Sequence, residues 1–259
     1  MKLNKIAAAI GLAATLPFAA PAFAGINPFD NAEMFLVVFD DAYGSYALDT
    51  GVTLNEMLAG SANPAGFSFS RSVLGAEWSK YRAADTDLND FLGFEGTRWA
   101  LVAADGEGFG DIGEFRLLIT QTANVTPKID NIAINTQTPR MAEYAIGVSQ
   151  TGDHGPLDEV NGNSFNPRGS EAQFKEENIF GQNGLYAGNA VGSSASIFFL
   201  TNSSYEINDN ADIRKLNGMA NFDGATLTYA VAAVPEPGTY ALMLAGLAGV
   251  AAMARRRRG

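Results

Sequence analysis

Phe35-Leu-Val-Val-Phe39 is an unbroken run of β-branched and large apolar residues, and it sets the reading of the chain as strand. The same character returns in Trp99-Ala-Leu-Val-Ala103, in Phe115-Arg-Leu-Leu-Ile-Thr120, and over residues 144–148, 196–201 and 225–231, while Phe67 and Phe69 alternate with serines. Turn signals separate these runs: Asp105-Gly106, Thr151-Gly-Asp-His-Gly-Pro156, Asn161-Gly-Asn163 and Asn183-Gly184, where Gly and Asn tolerate positive φ and Pro fixes it. Many short strands between such turns predict an all-β body, an antiparallel β-sandwich or jelly roll. Two short helices are expected, over 52–58 between Gly51 and Gly60 and over 76–83 with Trp78 and Tyr81 on one face. Residues 161–171 read as a loop. With no internal repeat, one domain over residues 25–233 is the simplest organisation.

Both ends of the chain stand apart from that body. At the N-terminus, Lys2 and Lys5 precede an apolar stretch over 6–16, and Ala22-Phe23-Ala24 forms a small-x-small cleavage site. Residues 1–24 therefore read as a secretory signal peptide cleaved by signal peptidase, with Gly25 the first mature residue. Pro17 and Pro21 interrupt the run and argue against a membrane-spanning helix there.

Between the ends, the body holds 11 basic and 27 acidic residues, a net charge of −16. Such a surface repels nucleic acid and anionic headgroups and favours cations or neutral partners. The chain has no cysteine, so an exported domain must be held by apolar burial, for which 17 Phe, 8 Tyr and 2 Trp supply the material. The same absence removes thiol nucleophiles and cysteine-based metal sites.

Few motifs point to chemistry. Gly108-Phe-Gly110-Asp-Ile-Gly113 matches a dinucleotide-binding pattern, but that pattern needs a following helix to meet the pyrophosphate, and the next segment reads as strand. Asp85, Asp87 and Asn89 alternate like the start of a calcium loop, but its sixth position is Asp90 instead of Gly and its twelfth is Gly96 instead of Glu. A calcium site of another type, from these residues or from Asp105, Glu107 and Asp111, is the one metal or cofactor expectation, against the default of a solvated acidic turn. His154 is the sole histidine and lies in a turn, which excludes a multi-histidine zinc site and makes a Ser-His-Asp triad depend on a loop tip. Trp78, Trp99 and the tyrosines are candidates for a sugar-stacking face, with core packing as the competing role.

The C-terminus reads Val234-Pro-Glu-Pro237, then Gly238, then 16 uncharged residues over 239–254, then Arg255, Arg256, Arg257 and Arg258. Sixteen residues span about 24 Å as a helix, short of a bilayer core of about 30 Å unless flanking residues contribute. Arginines reaching to the headgroups make a single C-terminal transmembrane helix feasible and hold its end in the cytoplasm, leaving the body outside. Pro235 and Pro237 keep the preceding segment extended, with Glu236 as a lone charge for a receptor to read.

Motif, apolar stretch, basic end and signal peptide in this order resemble the PEP-CTERM sorting signal of exported proteins in many Gram-negative bacteria. Gly238 departs from the Ser or Ala common after the motif. The strand end at Asp40 and the segment Ser45-Tyr-Ala-Leu-Asp-Thr-Gly51 are similar to the bodies of such proteins. The resemblance implies recognition of the Pro-Glu-Pro segment by an exosortase, a membrane-embedded cysteine transpeptidase-like enzyme that removes the anchor over residues 234–259. It implies an inner-membrane precursor with its body in the periplasm, then release or attachment at the cell surface in an exopolysaccharide-rich matrix. The expected function is thus a non-enzymatic surface or matrix protein in biofilm, with general secretory machinery, exosortase, membrane and polysaccharide as partners and no nucleic acid. The alternative is a secreted carbohydrate-active enzyme, of glycoside hydrolase type, on the same anchor.

Overall fold

The computed structural model describes residues 26–28, 31–73, 75–84, 96–106, 111–122, 126–152, 162–175, 187–233 and 243–247. The chain forms β1 (Glu33–Asp40), β2 (Gly44–Thr53), α1 (Leu54–Ser61), β3 (Phe67–Ser72), α2 (Ala76–Ala84), β4 (Arg98–Asp105), β5 (Arg116–Thr122) and α3 (Asn131–Ser149). It continues through β6 (Asn163–Pro167), β7 (Asn189–Ala190), β8 (Ser194–Thr201), β9 (Asp212–Lys215), β10 (Met219–Phe222) and β11 (Thr226–Val231). Every strand pair is antiparallel, as expected. They form one sheet, in the order β3-β11-β10-β8-β5-β4-β1-β2-β6, with β7 on β4 and β9 on β8. The body is therefore a curled half-barrel sheet rather than the two packed sheets of a sandwich.

The apolar run of β1 explains the difference. Its residues are buried on both faces, so alternate side chains feed two separate cores. Phe35 and Val37 pair with Val102 and Ala100 of β4, whose neighbours Leu117 and Ile119 of β5 pair with Leu200 and Phe198 of β8; all lie under α3. Leu36 and Val38 pair with Leu101 and Trp99 on the opposite, concave face, closed by α1 and α2. Trp78 of α2 touches both Tyr46 of β2, at 5.0 Å, and Phe222 of β10, at 6.1 Å. Those strands are five places apart in the sheet, so the sheet must curl around α2 for one indole to reach both.

The two short helices form close to their predicted places. Thr53 caps α1 with a reciprocal box, its backbone amide donating to Glu56 Oε2 at 2.9 Å. Glu77 of α2 accepts the Phe165 amide of β6 at 3.0 Å and pairs with Lys80. Two expectations fail. Residues 144–148 belong to the 19-residue helix α3, and residues 161–171 contain β6, paired with β2. Tyr144, Ala145 and Val148 are apolar because they face the sheet along with Ala133, Ile134 and Met141, a helical spacing that a short window cannot separate from a strand. Pro139 inside α3 and the abundance of Thr, Ile and Asn hide the helix further; tertiary packing overrides propensity. Gly106, read as a turn glycine, is instead a point of close approach: a Cβ there would meet Ala142 Cβ at 3.1 Å and Pro139 Cα at 3.2 Å.

Candidate functional site

A polar cleft opens where the second half of α3 faces β6 and the segment after it. Its volume is about 630 Å³, and its walls carry Arg140 and Glu143 of α3, Gln150 and Thr151 at the helix end, Asn166 of β6, and Ser170, Glu171, Gln173 and Lys175. The walls are held by local bonds. Thr151 Oγ1 donates to Asn166 Oδ1 at 3.1 Å, Asn166 Nδ2 donates to Ser164 Oγ at 3.2 Å, and the Gly169 amide donates to Gln173 Oε1 at 2.8 Å. Beneath them, Phe174 packs against Phe39 at 4.7 Å and edge-on to Tyr144 at 5.2 Å. The Phe174 amide donates to Ser45 Oγ at 2.8 Å, and the Tyr144 hydroxyl lies against the same serine. Burial raises the Tyr144 phenol above the usual tyrosine range, so it stays a neutral support.

Two cations and two carboxylates line this cleft, so it is locally balanced in a body that is strongly acidic. The Ser170 hydroxyl is buried without a hydrogen-bond partner among the described residues. Amides, hydroxyls and charges of both signs around one concavity suit a ligand rich in hydroxyl groups. No linear motif marks this site, because its residues come from a helix and a strand whose sequence patterns resemble a strand and a loop.

A second cluster sits at the sheet end where β1 starts and β2 finishes. The Glu33 and Asp49 carboxyls share a hydrogen bond, and Asp49 Oδ1 accepts the Gly51 amide at 2.8 Å. Burial, then the Asp49 charge, pushes Glu33 up to about 9, so it holds a proton at neutral pH. Burial also raises Asp49, opposed by the Gly51 amide, Glu33 and the Arg71 charge. Hydrogen-bonded carboxyls are closer than the roughly 5 to 10 Å at which a glycosidase pair flanks its bond, so this pair does not have that arrangement. Nearby, Arg116 joins Asp105, through Nε at 3.0 Å, to Asn55 Oδ1 at 2.9 Å.

Of the residues singled out from sequence, Asp85, Asp87, Asn89, Glu107, Gly108, Gly110 and His154 lie outside the described residues. Asp105 is buried and bound to Arg116, and Asp111 accepts the Tyr205 hydroxyl at 3.3 Å. Among the described residues no group of three or more His, Cys, Asp or Glu is placed to hold a metal. Gly113 lies in a turn leading into β5, so the helix a dinucleotide site requires does not follow it. Trp99 is fully buried, its Nε1 donating to the Ala190 carbonyl at 3.0 Å, so it forms no sugar-stacking face, and the half-buried Trp78 stacks on Tyr81 and packs against the core.

The chain leaves the body at the end of β11. That strand lies between β10 and β3, with Val231 opposite Phe67, and Ala232 and Ala233 are exposed beyond it. The family described as PEP-CTERM protein-sorting motif matches residues 233–258, beginning two residues after the strand. The chain carries a PEP-CTERM protein-sorting motif at its C-terminal end. The motif marks an exported protein that is anchored in a membrane and then processed by an exosortase. Within it, residues 243–247 are described; they are helical, with Met243, Leu244 and Leu247 exposed. No helix among the described residues is long and apolar enough to cross a membrane. The signal-peptide residues Ala22, Ala24 and Gly25, the motif residues Val234, Pro235, Glu236 and Pro237, and Arg255, Arg256, Arg257 and Arg258 lie outside the described residues. No curated protein and no solved structure matches the chain.

Proposed function

We propose that this PEP-CTERM protein is a non-enzymatic surface or matrix protein. It is exported by the general secretory route, cleaved by signal peptidase after Ala24, held at the inner membrane by residues 239–254, and severed from that anchor by an exosortase. The observation that carries the reading is the position of the sorting motif against β11. Among the described residues the last strand is complete at Val231 and every buried core residue precedes it, so cleavage beyond Ala233 removes the tail and leaves the described sheet pairing intact. A sorting signal that must be discarded fits such a boundary.

In the matrix, the polar cleft beside α3 is the contact for exopolysaccharide. Its hydroxyl and amide donors suit sugar hydroxyls, and its balanced charge avoids the repulsion the rest of the body would exert on an acidic polymer. In cells lacking the exosortase, the body should stay in the membrane fraction; its unchanged release would overturn the sorting role. Protein recovered from the surface should bind the producing cell's own polysaccharide, and Glu143→Gln with Gln173→Ala should weaken that binding. Shortened sugar chains after incubation would favour the carbohydrate-active alternative.

A further inference from the structure

The chain exits the body beside a surface unusually free of charge. Residues 57–70 contain no Asp, Glu, Lys or Arg, nor do residues 216–222 and 224–233, in a body of net charge −16. The fold lays these three segments side by side, and residues 62–67, 217–219 and 230–233 meet at the end where the chain leaves the body. β3 pairs with β11 and β11 with β10; Asn217 Nδ2 donates to the Ser61 carbonyl at 2.9 Å, joining the turn before β10 to the end of α1. Gly66, at φ +88°, lies so near the exit that a Cβ on it would meet the Val231 carbonyl at 3.0 Å and the Ala233 amide at 3.2 Å.

This end is also apolar. Ala62, Pro64 and Ala65 are exposed and Met219 is 37% exposed. A shallow cleft of about 520 Å³ lies between α1 and β3, walled by Val52, Ala59, Gly60, Phe67 and Phe69. The carboxylate bordering it, Glu56, is turned back onto the α1 cap, where Oε2 accepts both the amide and the hydroxyl of Thr53 at 2.9 Å.

We infer that this end of the half-barrel, around the β3–β11–β10 edge and the end of α1, is a membrane-apposed face that rests on the lipid surface while the precursor is anchored. The inference depends on the anchor reading of residues 239–254. Between Val231 and Thr239 there are seven residues, at most about 25 Å when fully extended. A body of this size is roughly 40 Å across. The tether is thus too short to present the far end, and the exit end stays within about 25 Å of the bilayer. Anionic headgroups repel the acidic body, so an uncharged, weakly apolar contact is the surface that can approach them. That contact also keeps Pro235, Glu236 and Pro237 at the height of a membrane-embedded exosortase.

The chain has no cysteine, so single-cysteine variants of the full-length protein report one position each. Fluorophores at Ala65→Cys, on the exit face, at Ala225→Cys, at the other end of β11, and at Leu247→Cys, in the tail, are compared in phosphatidylethanolamine/phosphatidylglycerol vesicles with and without brominated acyl chains. The labels at 65 and 247 should lose about half their emission to bromine, and the label at 225, about 20 Å further away, almost none. Quenching at 247 but not at 65 overturns the face and leaves the anchor standing. Quenching at 65 without 247 sinks the anchor and leaves a peripheral face. Equal quenching at 65 and 225, or none at either, refutes the proposal. So does loss of label reactivity at 65 only when exosortase is present, which would make the occupant a protein.

Discussion

Replacing Glu33 by Gln should flatten a pH dependence of stability that the native protein owes to one shared proton. Glu33 is held protonated up to about 9 by burial and by Asp49, whereas in the unfolded chain it ionises near its ordinary value of 4.5. A carboxyl raised in the folded state contributes stability that is complete below 4.5 and drains away as pH climbs toward 9, because folding must take up a proton that is progressively scarcer. One proton is worth about 1.4 kcal/mol per pH unit, hence about 2.7 kcal/mol between pH 5.5 and 7.5. Glu33 is only half-buried, and solvent screening reduces the expectation to about 2 kcal/mol, or roughly 4 to 8 °C in Tm for a domain of this size. Gln keeps a donor toward Asp49 and carries no titration. Urea unfolding of both proteins at pH 5.5, 6.5 and 7.5 gives the comparison, since every carboxylate other than the coupled Asp49 cancels in the difference. The stability gap should grow with pH in favour of Glu33→Gln. Parallel pH profiles would show that Glu33 is ionised in the folded protein and that the shared proton is wrong.

Other outcomes follow from the same geometry. A chain ended at Ala233 should unfold cooperatively with the stability of the longer protein, whereas one ended at Ala225 loses β11 from between β10 and β3 and should not fold, as circular dichroism would report. Gly106→Val should destabilise by about 2 kcal/mol or more by driving a side chain into Pro139 and Ala142 of α3, seen in urea midpoints. In an alkaline titration followed at 295 nm, Tyr229, which donates to the Asn217 carbonyl and is pushed up from its ordinary value of 10.0 to about 12 by burial, should ionise late. Its stabilising effect is therefore lost above pH 10, and Tyr229→Phe should remove that late step. Phe174→Ala, which empties the floor of the cleft under Tyr144 and Phe39, should cost about 3 to 5 kcal/mol by the same urea assay.

The strands were legible where their apolar runs are continuous or strictly alternating. Phe35 to Phe39 became the centre of the sheet, and Phe67 and Phe69, set between serines, became a strand with one face exposed. What the runs could not convey is that one sheet, curled on itself, buries both faces of its middle strands. That follows from α3, and α3 was hidden by Pro139 and by the residues Thr136, Gln137 and Thr138 along its length. The cleft was lost with it: Glu143 and Gln173 carry no meaning until the helix and β6 bring them to one concavity. Glu33 and Asp49 were likewise ordinary acids in the sequence, brought together only by the pairing of β1 with β2, which sets Asp49 opposite Phe35. The sorting signal was readable because it works as a linear segment, through two prolines, a charge between them, an apolar stretch and a basic end.

The central claim is exosortase processing at the Pro-Glu-Pro segment, and the C-terminus of the mature protein tests it most directly. Intact-mass analysis of protein from the medium and cell surface is set beside the Glu236→Ala variant. Exosortase processing yields a native form beginning at Gly25 and ending within residues 233–237, with the variant kept full length in the membrane fraction. A native protein that still carries Arg255 to Arg258, or one trimmed identically in the variant, would contradict it.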